Sequence, residues 1–182
     1  MLEMLNFDKE YVYIIKKREK NLLEIVYQKQ GTENEVSIAE YMDKNPDNSV
    51  NNQTLTLIHT HTNNTAFSVA DYKVFLKHKS FKRMMVFNAI GRCYSVQRNN
   101  SSLLYYSTLP ERLDSILNDL EDLYNVLGDK LYHTLPENCK IKIRYDKNIQ
   151  SNFLIRLTKE FFIEVCKYLE LDYYPKEVYS NV

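Results

Sequence analysis

The chain has no tryptophan, only three glycines, and only three cysteines among its 182 residues. Cys93, Cys139 and Cys166 are odd in number and widely spaced, and no two form a CxxC pair. This argues against a disulfide framework and against a cysteine-based zinc knuckle. Cys93 in a strand-like run and Cys166 in a helical one read as small buried hydrophobes. A net charge is also missing: 24 Lys and Arg balance 24 Asp and Glu. No global field therefore draws nucleic acid or an anionic membrane, and neither is an expected partner. The local cluster of Lys77, His78, Lys79, Lys82 and Arg83 reads as a solvated helix end. No apolar run approaches the ~20 residues of a membrane span. The first residues, Met-Leu-Glu-Met-Leu-Asn-Phe-Asp, carry acid where a signal peptide carries base. A cytoplasmic protein with one core is expected.

What is present falls into two textures. In the first half, Glu10 to Lys16 and Asn21 to Gln28 are rich in β-branched and aromatic residues and read as an antiparallel hairpin turned at Lys17 to Lys20. Val36 to Asp43 reads as a short helix or a loop with one turn, and Asn45 to Ser49 and Asn51 to Gln53 are turn-forming. Thr54 to His61 alternates as a strand. Ser68 opens a helix with the apolar stripe Tyr72, Phe75 and Leu76. Arg83 to Asn88 and Cys93 to Arg98 are two more strands, joined across Ala89-Ile90-Gly91-Arg92. In the second half, Thr108-Leu109-Pro110-Glu111 marks a helix start. The stripe Leu113, Ile116, Leu117, Leu120, Leu123 and Leu127 then continues until Gly128 stops it. Asn152 to Leu171 repeats the pattern with Phe153, Leu157, Phe161 and Val165. The Tyr105-Tyr106 and Tyr173-Tyr174 pairs read as core or interface packing, and His78 and His133 as surface residues. The fold class is α/β of the α+β kind.

Chemistry concentrates between residues 57 and 71. Period-two alternation puts His59 and His61 on the same face of one strand, one pleat apart. After a polar loop, Asp71 stands in the first turn of the next helix. Two neutral imidazoles and one carboxylate are the number and kind of ligands that a hydrolytic zinc site takes, with water in the fourth position. Ser68 and Asp71 also form a capping box, which by itself explains both residue types without any catalysis.

Taken together, His59-Thr60-His61 and Ser68-Val69-Ala70-Asp71 resemble the motif of the JAB/MPN, or JAMM, zinc metalloproteases. The run Phe67 to Tyr72 and the later Gly91-Arg92-Cys93-Tyr94 are similar to the JAB-like domains of phage head proteins and bacterial toxin systems. Six residues separate His61 from Ser68, one fewer than in the deubiquitinating members and as in the phage and toxin branch. Thr62 replaces the usual proline. The resemblance covers roughly residues 8 to 98. It implies a mixed sheet flanked by helices in a metal-binding domain over residues 1–102. Residues 103–182 would be a helical extension, either packed on the same core or standing as a separate hairpin.

From the family's pattern, His59, His61 and Asp71 would hold Zn2+, Ser68 would support the reacting carbonyl, and a glutamate from far upstream would act as general base. Glu10 is the best placed for that role, with Glu24 and Glu40 also candidates. The implied partner is a peptide or protein substrate, ubiquitin-like proteins included, and the oligomeric state stays open. A second reading keeps the fold and discards turnover: a binding or assembly module of a phage or mobile-element protein. A third, a metal-dependent phosphoesterase of the PHP kind, would need further histidines and acids downstream, where only His78 and His133 remain.

Overall fold

The two β-rich runs at the front of the chain pair antiparallel, as β1 (Tyr11–Lys17) and β2 (Leu23–Gln30), with an irregularity in register between Ile14 and Ile15. This is a computed structural model, and it describes residues 8–18, 22–46, 54–99 and 112–175. A single-turn helix α1 (Ala39–Lys44) follows. β3 (Leu55–Thr60) leads through the polar loop into α2 (Val69–Lys77), and then come β4 (Phe81–Phe87) and β5 (Cys93–Gln97). The second half supplies α3 (Leu113–Thr134), α4 (Glu137–Lys142), α5 (Lys147–Tyr168) and β6 (Asp172–Tyr174). The helix start expected at Thr108 to Glu111, the Tyr105-Tyr106 pair, and most of the turn at Asn45 to Gln53 lie outside the described residues.

The six strands form one mixed sheet in the order β2-β1-β3-β4-β5-β6. β3 and β4 are its parallel pair, which requires a crossover, and α2 is that crossover. Alternation sends Val12, Ile14, Leu57, Met84, Val86, Tyr94 and Val96 to one buried face. Ala66, Phe67, Tyr72 and Phe75 pack there in one cluster with Leu120, Phe161, Phe162 and Val165 of α3 and α5. The helices of the second half thus complete the cover of the sheet. Phe162 is the hinge of this packing, meeting Phe67 at 5.7 Å, Tyr94 at 5.4 Å and Tyr173 at 5.6 Å between ring centroids.

Three local expectations change. Gly128 does not stop a helix: α3 runs on to Thr134. Glycine in a helix interior costs about 1 kcal/mol, whereas Leu127 and Leu131 on either side are buried, each contributing about 1.5–3 kcal/mol. A Cβ on Gly128 would meet only Leu157 Cδ2, at 3.7 Å. Gly128→Ala should therefore stabilise the fold by about 0.5–1 kcal/mol, read as a higher urea midpoint at unchanged slope. Secondly, α5 begins five residues before Asn152, at Lys147, because the Asp146 carboxylate accepts from the Asn148 and Ile149 amides at 2.9 and 3.3 Å. Thirdly, a sixth strand, β6, follows α5 where the sequence pattern marks none. It adds to β5 with Tyr173 half-buried and Tyr174 exposed.

α2 is anchored at both ends. Ser68 caps its start in a complete capping box with Asp71. At its other end the fully buried Arg98 lies over the Phe75 ring at 4.5 Å and donates to the Phe75 and Lys79 carbonyls at 2.5 and 2.8 Å. A cation on the last carbonyls opposes the helix dipole where it is negative. His78 is the C-cap residue and half-buried rather than on the surface; burial, then Lys77 and Arg98, hold its pKa below the ordinary value. Lys77, Lys82 and Arg83 are solvated, as expected for a helix end.

Candidate metal centre

Strand β3 ends at Thr60, and His61 continues its line with its amide bonded to the Phe87 carbonyl at 2.9 Å. His59 and His61 are buried on the same face, at 6% and 7% exposure. The capping box then turns the Asp71 carboxylate back toward them. His59 Nε2 lies 3.1 Å from His61 Nε2 and 3.0 Å from Asp71 Oδ1, and His61 Nε2 lies 3.5 Å from Asp71 Oδ2. Ligands on a tetrahedron with zinc bonds of about 2.0–2.1 Å stand about 3.3–3.4 Å apart. The distances from His59 Nε2 to His61 Nε2 and to Asp71 Oδ1 are close to that spacing, and each of the three residues offers a donor within 4.8 Å of the others, so the residues present can hold such an ion.

The surrounding hydrogen bonds choose which atoms face it. Asp71 Oδ2 accepts from the Ser68 amide at 2.6 Å and from Ser68 Oγ at 2.8 Å, which leaves Oδ1 for a metal. His61 Nδ1 stands 3.0 Å from Thr65 Oγ1. Thr65 gives its own proton to Asn63 Oδ1, so its oxygen accepts from His61 Nδ1–H, and the lone pair of that imidazole is on Nε2. A second-shell partner that fixes the tautomer in this way is what a metal-ligating histidine requires. The loop is pinned in turn: Thr62 Oγ1 donates to the Glu33 carbonyl at 2.7 Å, Asn88 Nδ2 to the Asn64 carbonyl at 3.2 Å, and the Ala66 amide to Thr158 Oγ1 of α5 at 3.1 Å.

Charge follows the geometry. Burial works to raise the Asp71 carboxyl, but His59 and His61 outweigh it and hold the group well below the usual carboxylate range. Burial likewise works to lower His61; the hydrogen bond and charge of Asp71, then Glu10, outweigh it and raise the imidazole.

Of the three candidate bases, Glu10 is the one beside this cluster. Val12 pairs with His59, the last pair of the β1–β3 ladder, and Glu10 stands two residues before Val12, close enough that His61, His59 and Asp71 all act on its charge. Glu10 is buried to 9% exposure. Burial pushes its pKa up, His61 and His59 draw it down, and Asp71 and Glu35 push it up again, for a net rise. Glu24 is instead bound to Arg18 at 2.5 Å and Glu40 to Lys44 at 3.0 Å, all four side chains being exposed. Ser68 is half-buried with its proton on Asp71. His133 is exposed on α3, and among the described residues no further histidine joins the group.

The position of Glu10 is set by backbone. Its amide donates to the Thr32 carbonyl and its carbonyl accepts from Gly31, both at 2.8 Å. A Cβ on Gly31 would stand 2.0 Å from the Glu35 carbonyl oxygen and 2.7 Å from Val36 Cβ, so the loop after β2 folds back only over glycine. Gly31→Ala should destabilise the fold by about 1–3 kcal/mol, as overpacking does, measured by urea unfolding. Any surviving folded protein should show Glu10 displaced.

Sequence reasoning missed Asn63, Thr65 and Thr158. The first two carry a local signal: the Asn63 side chain accepting from the Thr65 amide at 2.9 Å is an Asx turn. Thr158 meets Ala66 across 92 residues, and no local pattern announces it. Comparison of the chain with protein-family models, with curated proteins and with solved structures finds no match.

Proposed function

We propose that the chain is a cytoplasmic zinc-dependent metallopeptidase or isopeptidase of the JAB/MPN type, hydrolysing a peptide or isopeptide bond in a peptide or protein substrate, ubiquitin-like proteins included. One observation carries this reading: two imidazole nitrogens and a carboxylate oxygen gathered within 4.8 Å of one another, with a buried glutamate beside them. His59, His61 and Asp71 would hold the ion through their imidazole nitrogens and carboxylate. When bound, zinc supplies Lewis-acid polarisation of a carbonyl and lowers the pKa of water.

The protein's own groups do the rest. Glu10, whose burial raises its basicity, takes a proton from the attacking water and carries it to the departing amine, since a general base works best when its pKa approaches the operating pH. Thr65 and Asn63 hold His61 in the tautomer that offers Nε2. Ser68 fixes the Asp71 carboxylate, and on turning its proton away from Oδ2 it becomes a donor for the oxyanion. The three free thiols form no part of the site; burial pushes Cys166 up to about 12, where it is inert.

The test is a panel of peptides and isopeptide-linked ubiquitin-like conjugates incubated with zinc-loaded protein and read by mass spectrometry. Cleavage that a chelator stops and zinc restores is expected. Zinc retained with no bond in the panel cut would leave the binding or assembly module. Cleavage of phosphodiesters alone would favour a phosphoesterase.

A further inference from the structure

The sheet register continues past the metal centre. Val12, His59, Val86 and Tyr94 form one row across β1, β3, β4 and β5. One pleat nearer the strand ends, His61, Asn88 and Arg92 stand in the next row, the His61 amide donating to the Phe87 carbonyl at 2.9 Å. Hydrogen bonds hold its last pair: the Asn88 amide donates to the Arg92 carbonyl at 3.0 Å, and the Arg92 amide to Asn88 Oδ1 at 2.9 Å. Gly91, at φ 75°, makes the bulged turn that brings Arg92 there. Arg92 therefore stands two strands from His61, about 10 Å away.

Lys159 of α5 arrives at the same place from the helical layer. Tyr94, two residues beyond Arg92, packs edge-on against Phe162 at 5.4 Å, and Lys159 lies one helical turn before Phe162. Neighbouring cations are paired: Arg156 with Glu160 at 3.1 Å, Lys167 with Glu164 at 2.7 Å. Neither Arg92 nor Lys159 has a carboxylate partner among the described residues. Partial burial, then the charge of Arg92, hold the Lys159 ammonium below its ordinary value. Beneath them the Tyr94 hydroxyl is buried and makes no hydrogen bond within 3.5 Å among the described residues, and the Arg92 guanidinium beside it works against the rise in pKa that burial imposes. Two cations brought together without a carboxylate among the described residues, over a buried phenol beside Arg92, are arranged for an anion.

We propose that Arg92 and Lys159, with the Tyr94 hydroxyl, form a carboxylate-binding subsite that selects substrates bearing an acidic side chain or a chain-terminal carboxylate about three extended residues, at about 3.3 Å each, from the bond at the metal centre. That the anion belongs to a peptide rests on the peptidase reading above; the subsite itself rests on the register and the packing of α5.

The test separates the two. Acetylated, amidated hexa-alanine peptides with one Asp at each position in turn, their Asn counterparts, and a hexa-alanine with a free C-terminus are titrated into zinc-loaded Glu10→Gln protein. Affinity and the Arg92 Nε–H resonance are followed by NMR. One Asp position, or the free terminus, should bind about tenfold more tightly than its neutral counterpart and shift that resonance. The preference should fall below about twofold in Arg92→Gln and in Lys159→Met, whose melting temperatures should match that of the parent. Equal binding of Asp and Asn peptides, no binding of any peptide, or a preference that survives both substitutions overturns the subsite. Retained preference with no cleavage by the wild-type protein would instead overturn the peptidase reading alone.

Discussion

Glu10→Gln protein binds zinc with the wild-type stoichiometry and loses hydrolysis, with kcat falling by about 10²–10⁴-fold, the usual worth of a positioned general base. Glutamine keeps the volume and the backbone bonds to Gly31 and Thr32, so the ligands should not move. What it removes is the ability to take and release a proton beside His61. A buried carboxyl whose pKa is raised by its surroundings is a stronger base than an exposed one. Removing it also takes a negative charge from a buried site, so the metal-free fold should not suffer. The control substitutions are Glu24→Gln and Glu40→Gln. Both side chains pair with exposed cations, and Lys16, which faces Glu24 across the ladder, is six residues along β1 from Glu10, about 20 Å away. Their activity should stay at the wild-type level. Loss of turnover in either of these, with Glu10→Gln active, would move the base elsewhere.

Asp71→Ala should abolish stoichiometric zinc binding. Losing an ordering partner outside the ligand shell typically costs 10- to 100-fold in affinity, and a lost ligand should exceed about 100-fold on the same scale. The substitution also breaks the capping box, which contributes about 1 kcal/mol to α2, so a fall in zinc affinity alone could reflect a frayed helix. Ser68→Ala separates the two. It removes the Oγ bonds to the Asp71 carboxylate and amide but leaves the ligand. Zinc affinity should then drop by about 10- to 100-fold with a comparable loss of helix stability. Equal affinity losses in the two variants, each read by competition with a chromogenic chelator, would mean that Asp71 serves the helix and not the ion.

The parts of the site visible in the sequence are those governed by short-range rules. Strand alternation was enough to place His59 and His61 on one face, and the Ser68-x-x-Asp71 spacing was enough to cap α2, because both depend only on backbone geometry over a few residues. Glu10 follows only from the resemblance, because its place beside His61 depends on the pairing of β1 with β3, across about fifty residues of chain that no local pattern spans. Asn63 and Thr65 lie inside the motif, but a polar loop after a strand reads as connection. Arg92 and Lys159 meet only because β5 and α5 pack through Tyr94 and Phe162. Where local rules misled, tertiary burial outweighed them. Gly128 stays helical because Leu127 and Leu131 are buried beside it, and the first turn of α5 escaped notice because Lys147 to Ser151 carry little of the apolar stripe.

The most direct test of the centre is zinc K-edge X-ray absorption on protein loaded with one equivalent of the metal. A four-coordinate shell of nitrogen and oxygen at about 2.0–2.1 Å, with the outer-shell scattering of two imidazoles lost in His59→Ala and His61→Ala variants, is the predicted result. A sulfur shell at about 2.3 Å, placing the ion on cysteine, or a spectrum and affinity unchanged in those variants, would contradict it.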